Sequence, residues 1–249
     1  MAFTWIYLLP VMVFIIVPVS FLTTYTIAVL NEHVDPAFPY ISDTGSYSPE
    51  SCIFGQLVNI AAFIIAICVY IKYLEVKNFQ QTITSKGGIS HRFNKVTSAF
   101  GLLSCIGMDI VANFQESNVI VVHLLGAILC FGAGTIYFSL QLWISYKVPG
   151  LTSKRLLLTR AILVGICILT TISTVVTATL ALSEYRGSTN NPQKWNPEDG
   201  GWELHLVSTI SEWILVITYC ILILSFVPEF YDLEFEAPVI TFKNKRTFT

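Results

Sequence analysis

Residues 5–30 read WIYLLPVMVFIIVPVSFLTTYTIAVL, an apolar run without a single charged side chain. About 20 apolar residues are enough for a helix to cross the hydrocarbon core of a bilayer. The run is too long for a signal-peptide core and has no basic segment ahead of it, so it reads as a retained span. Pro10 and Pro18 are expected to bend it, which a bundle tolerates when neighbouring helices satisfy the freed carbonyls. Five further runs follow, at 53–73, 96–114, 119–146, 159–182 and 204–227. The third and fourth are only a few residues apart and must form an antiparallel pair. The sequence therefore predicts an all-α polytopic membrane protein. It is a single six-span domain over 1–249, with polar loops at 31–52 and 183–203 and a tail at 228–249.

Composition agrees. Hydrophobic residues make up 54% of the 249 positions and charged residues 12%, against roughly 25% charged in an ordinary globular domain. The mean hydropathy is +0.67. Charge is sorted along the chain. Lys72, Lys77, Lys86, Arg92 and Lys95 flank one connector, Lys147, Lys154, Arg155 and Arg160 another, and Lys243, Lys245 and Arg246 lie in the tail. Only Arg186 and Lys194 fall on the other side. The positive-inside rule then makes both termini cytoplasmic. The basic connectors read first as topology determinants, with attraction to anionic head groups as a second use.

Cys68, Cys105, Cys130, Cys167 and Cys220 fall inside apolar runs and read as small buried hydrophobes. Cys52 stands alone at a loop edge, and no Cys/His spacing of the zinc type occurs. Gly126, Cys130 and Gly134, like Gly101 and Cys105, recur every four residues. That pattern permits close helix approach, more naturally within the chain than between copies.

The loop before the second span, PYISDTGSYSPESCIFG at 39–55, is polar, carries two acids and has no Lys or Arg. Facing the lumen or outside, it is expected to cap the bundle through Tyr40, Asp43, Gly45 and Glu50. Asp43-Thr44-Gly45 is the tripeptide of aspartic proteases. That chemistry needs two carboxylates sharing a proton, and the chain has no second copy. The tripeptide reads instead as a turn, with Asp43 accepting from backbone N–H groups and Gly45 supplying a positive φ.

Ionisable groups inside a membrane invite a functional hypothesis. Asp109, Asn113 and Glu116 are spaced to share one helical face, and so are His205 and Glu212. With His123, Gln56 and Asn59 they form a candidate polar cluster beneath the loop. Three readings compete for it. It could hold the cap by interhelical hydrogen bonds, bind an ion, a proton or a lipid head group in a small cavity, or be a catalytic site of His123, His205, Asp109 and Glu212. The third lacks any HxxxH or HExxH spacing. His33, His123 and His205 on one side also suit metal or pH sensing. No cofactor and no metal site is expected, and no nucleic-acid partner.

The segments PYISDTG and PESCIFG (39–45 and 49–55), IVANFQ (110–115) and KWNPED (194–199), with the His123 region and Glu212-Trp213, resemble the damage-regulated autophagy modulator family. That family lies in a wider six-span superfamily with the suppressor-of-four-kinase proteins and a Golgi factor for remodelling lipid anchors. The resemblance runs from the first span to the sixth. It implies a non-enzymatic multi-pass protein of lysosomal or endosomal membranes that promotes autophagy and stress-linked cell death. The family offers no catalytic residues to carry over. Wider relatives imply alternatives: a plasma-membrane location, ion conduction, lipid handling, organisation of phosphoinositide-kinase machinery on the cytoplasmic side, or lipid remodelling. Membrane lipids are the expected partners in every case.

Overall fold

The computed structural model describes residues 2–83, 88–187 and 193–236. Lys86 and the tail residues Lys243, Lys245 and Arg246, used above to orient the chain, lie outside them. Among the described residues six helices are long and apolar enough to span a membrane, as expected. They are α1 (Leu8–Leu30), α2 (Glu50–Ile83), α3 (His91–Asn113), a fourth built of three pieces, α6 (Lys154–Glu184) and α7 (Trp202–Leu224), which a short α8 (Val227–Tyr231) extends. The fourth span is α4 (Glu116–Ala127), a π-helical stretch (Ile128–Ala133) and α5 (Gly134–Lys147). Strands β1 (Ala2–Phe3) and β2 (Phe235–Glu236) pair antiparallel, so both ends of the described chain meet on one face.

The spans form a closed ring. α7 packs on α1, α1 on α2, α2 on α3, α3 on the fourth span, α5 on α6, and α6 on α7. Lipid tails are as apolar as leucine, so burying apolar surface cannot drive this association. Close packing and internal hydrogen bonds must. Pro10 falls in the first turn of α1, where its missing N–H costs no helical bond, and only Pro18 sits in the interior. α2 runs well beyond residue 73 because Val76 and Phe79 continue its apolar stripe under Ile144, Val148 and Leu151.

Small residues set the closest approach. Gly107 of α3 lies against the backbone of Gly126, Leu129 and Cys130, and Gly126 against Ile110. The four-residue spacing of glycines thus serves packing within one chain. Here the fourth span is π-helical, a geometry that unsettles the regular carbonyl ladder. The Ser104 hydroxyl donates to the Cys130 carbonyl at 2.7 Å and the Tyr219 hydroxyl to that of Phe131 at 2.6 Å. Thr135 joins the same Tyr219 at 2.7 Å and Thr171 at 2.9 Å, tying α5, α6 and α7 together.

On the face opposite the 39–55 loop, a buried ion network closes the ring. Arg160 of α6 donates to both oxygens of Glu229 in α8, at 2.9 and 2.8 Å, and to the Ser225 hydroxyl and carbonyl at 2.8 and 2.7 Å. Lys72 of α2 pairs with the same Glu229 and with Glu75, the latter at 2.8 Å. The Phe226 ring lies beside both cations, 5.2 Å from Lys72 Nζ and 5.1 Å from Arg160 Cζ. Lys72 is wholly buried and Arg160 nearly so. Two of the residues counted above as topology determinants are therefore bound inside the protein. All six cysteines are free.

Candidate functional site

The 39–55 loop is fastened to α7 by three consecutive residues. The Pro39 carbonyl accepts from the Trp213 indole at 3.0 Å, the Tyr40 hydroxyl donates to Ser208 at 2.8 Å, and the Ile41 N–H donates to Glu212 at 3.0 Å. Ser208 and Glu212 stand one turn apart on α7 with Trp213 beside them, so the loop lies against the side of the helix. The chain then turns in a single 3-10 turn, Asp43–Gly45. The Tyr40 N–H donates to the Asp43 carboxyl at 3.2 Å, and the Thr44 hydroxyl donates to the Ile41 carbonyl at 2.6 Å and meets Thr24 of α1 at 2.9 Å.

The expectation for Gly45 needs correction. Positive φ among the described glycines occurs at Gly150, Gly200 and Gly201, not here. Gly45 is required for space instead: a Cβ would stand 2.4 Å from Cγ of Phe54. Gly45→Ala is expected to destabilise the protein by about 1–3 kcal/mol, the usual cost of overpacking. Thermal unfolding in detergent would read it, and Phe54→Leu in the same chain should restore part of the loss.

Beneath the loop lies a cavity of about 520 Å3, walled mostly by apolar side chains from all six spans. At its cap end stand Tyr40, Asp43, Glu116, His123, His205 and Glu212. Ser42 donates to Glu116 at 3.2 Å, and His123 hydrogen-bonds the Phe114 carbonyl at 2.7 Å with its other nitrogen 3.9 Å from Glu116. The second polar loop completes the wall with Gln193 and Trp195. Trp195 stacks on His205 at 4.4 Å, and Tyr40 meets the same imidazole edge-on at 5.2 Å. The turn NPEDGG holds Trp195 in place. Gly200 and Gly201 take φ of 80° and 68°, which only glycine adopts freely, and the Gly200 carbonyl accepts from the Trp195 indole at 2.8 Å.

Not every candidate joins this cluster. Asp109, Asn113, Gln56 and Asn59 lie on the outer side of the α2–α3 pair, away from the cavity. Asn59 and Asn113 exchange amide hydrogen bonds at 3.0 Å, and Asn113 caps the Asp109 carbonyl at 2.7 Å. The shared face of Asp109, Asn113 and Glu116 assumed one continuous helix. α3 ends at Asn113, Phe114 is extended (φ −111°, ψ 93°), and Glu116 opens a new helix turned inward. Glu50, a cap candidate, is buried against His33 at the rim, with the His33 ring 5.0 Å from Tyr47. His205 and Glu212, on one unbroken helix, do share the cavity face. Gln193 and Trp195 were not foreseen as site residues. The tryptophan beside a Pro-Glu-Asp-Gly-Gly turn was their best signal.

Electrostatics favour a protonated cap. Burial first, then the nearby Glu116 and Glu212 carboxyls, raises the Asp43 carboxyl well above its ordinary range. Burial also raises the Tyr40 hydroxyl, which stays a donor. A carboxyl whose folded pKa is raised binds its proton more tightly when folded. Its contribution is complete below the unfolded value of about 3.9 and is lost as pH rises through the raised folded value. The cap should therefore hold best in acid. Hydrogen exchange at amides 40–46, corrected for intrinsic rates, is expected to show weaker protection at neutral than at acidic pH. Asp43→Asn should abolish that difference. Equal protection at both pH values in the native chain would contradict it.

No solved structure matches the chain. The family model described as "Frag1/DRAM/Sfk1/Cwh43P N-terminal domain" matches residues 5–233. The chain is 35% identical over 218 residues to human DNA damage-regulated autophagy modulator protein 2, covering 86% of this chain and 80% of that one. It is 38% identical over 212 residues to human DNA damage-regulated autophagy modulator protein 1, covering 85% of each. To the zebrafish modulator of macroautophagy TMEM150B it is 34% identical over 231 residues, 92% of this chain and 87% of the relative. With the match running from the start of the first span to the end of the sixth, this chain belongs to the Frag1/DRAM/Sfk1/Cwh43P family.

Proposed function

We propose that this protein is a non-enzymatic multi-pass regulator that promotes autophagy and stress-linked cell death at lysosomal and endosomal membranes. The observation that carries the reading is similarity over most of the chain to proteins named autophagy modulators. A cap that holds best in acid suits a loop facing an acidic lumen, with the basic connectors on the cytoplasmic side, where autophagy or phosphoinositide-kinase machinery would meet them. The test is to tag the protein and delete its gene. Co-localisation with acidic organelles and a fall in autophagic flux on deletion are expected. A tagged protein confined to other membranes, with flux unchanged, would overturn the reading.

A second reading, lipid handling, is favoured by the cavity under the cap. Purified protein in liposomes should then accelerate lipid exchange between leaflets. Exchange no faster than in protein-free liposomes would count against it.

A further inference from the structure

The wall of the cavity is uneven in a way that bears on what fills it. Most of its residues are buried or half-buried. Six lining residues are exposed: Ile120, Leu124 and Ile128 on the fourth span, and Val175, Thr179 and Leu182 on α6. Val175 and Leu182 are 56% and 63% exposed, Leu124 and Ile128 46% and 64%. α6 packs along α7 and α5, but α4 makes at most marginal contact with it. The ring therefore has a lateral opening between α4 and α6, in the half of the bundle nearer the cap. In a bilayer that opening faces acyl chains. The cap itself, held by Ser208, Glu212 and Trp213, closes the end.

A volume of about 520 Å3 lies within the usual small-molecule range of about 300–1,000 Å3. An apolar chamber open to lipid takes a chain, and the cap end decides the head group. Asp43 from the cap, Glu116 from α4 and Glu212 from α7 bring three carboxyls to that end, and among the described lining residues there is no Lys or Arg. Tyr40, His123 and His205 are the other titratable groups there, with Gln193 and Trp195 from the second loop. Nδ1 of His205, a residue only 5% exposed, has no hydrogen-bond partner on this wall. A phosphate would meet carboxyls without a compensating cation. An ammonium would meet oxygen acceptors for its three N–H groups and take the place of the protons that the crowded carboxyls otherwise hold.

We infer that the cavity binds a single-chain amphiphile with a cationic amino head group, which enters between α4 and α6 and places its nitrogen among Asp43, Glu116 and Glu212. The inference goes beyond the autophagy reading and does not rest on it.

Sphingosine is a suitable probe, with its N-acetylated form and its phosphate ester as controls. Full-length protein in nanodiscs of uncharged lipid should bind a photoreactive sphingosine saturably, with crosslinks on residues 120–128 and 171–182. The N-acetylated form and the phosphate ester should bind about tenfold more weakly or worse. Glu212→Gln combined with Asp43→Asn should weaken sphingosine binding to a similar degree while leaving the N-acetylated form unaffected. If that double variant does not fold, Val175→Trp decides. It fills the opening from an exposed position and should remove the crosslinks without lowering the unfolding temperature. Non-saturable labelling would overturn the proposal. So would a phosphate ester that binds as tightly as the amine, or crosslinks unchanged in a folded Val175→Trp protein. Autophagic flux is not among these readouts, so failure here leaves the proposed function standing, and the reverse also holds.

Discussion

Glu229→Ala is expected to be among the most destabilising single replacements in the chain. It would leave Arg160 without a carboxylate, and Lys72 with only Glu75, in a site from which both cations are shielded from water and lipid head groups. Removing one partner of a buried ion pair costs about 3–5 kcal/mol, because the remaining charge stays uncompensated. The intact pair need not stabilise the fold by that amount, since desolvation offsets much of the attraction. Chemical unfolding in detergent, or loss of a monodisperse peak on gel filtration, would read the effect. Lys72→Met should cost less, because Glu229 keeps both of its bonds to Arg160, and the buried Glu75 carboxyl that loses its cation can take up a proton. A Glu229→Ala protein as stable as the parent would mean that α8 is not held by this network.

Gly107→Ala should rank beside it. A Cβ at position 107 would lie 2.3 Å from the Cys130 nitrogen and 2.6 Å from the Gly126 oxygen. Both are backbone atoms, so no side chain can rotate away and the α3–α4 crossing must open. Overpacking of this kind costs about 1–3 kcal/mol and occasionally more, and the upper end is expected here. Alanine's better helix propensity, about 1 kcal/mol, acts in the opposite direction. Gly132→Ala and Gly165→Ala separate the two effects, because a Cβ at either site meets nothing within 4 Å. Those two variants should be neutral or slightly stabilised in the same unfolding assay. If Gly107→Ala behaves as they do, the close crossing does not govern stability.

Much of the candidate site was visible in the chain, for a physical reason. His205 and Glu212 occupy one continuous helix, so periodicity alone puts them on one face. The same periodicity misplaced Asp109 and Asn113 relative to Glu116, because two residues of broken helix at 114–115 reset the direction of the chain. Asp43 was rightly read as a turn residue held by backbone N–H, while the reason for Gly45 lay in tertiary packing: the Phe54 ring sits where a methyl would go. Lys72, Arg160 and Glu229 looked like surface charges at the ends of apolar runs. That they meet depends on three helix ends converging.

The six spans and the family followed from composition, periodicity and a few polar motifs, because a helix that crosses a bilayer must be long and apolar whatever else the protein does. Such constraints are local and are written residue by residue. The cavity, its acidic end and its opening between α4 and α6 depend on how far apart helices stand and which way each face turns. Those quantities are settled by small residues such as Gly107 and by breaks such as Phe114, acting between segments far apart in the chain. Only the tertiary structure decided them.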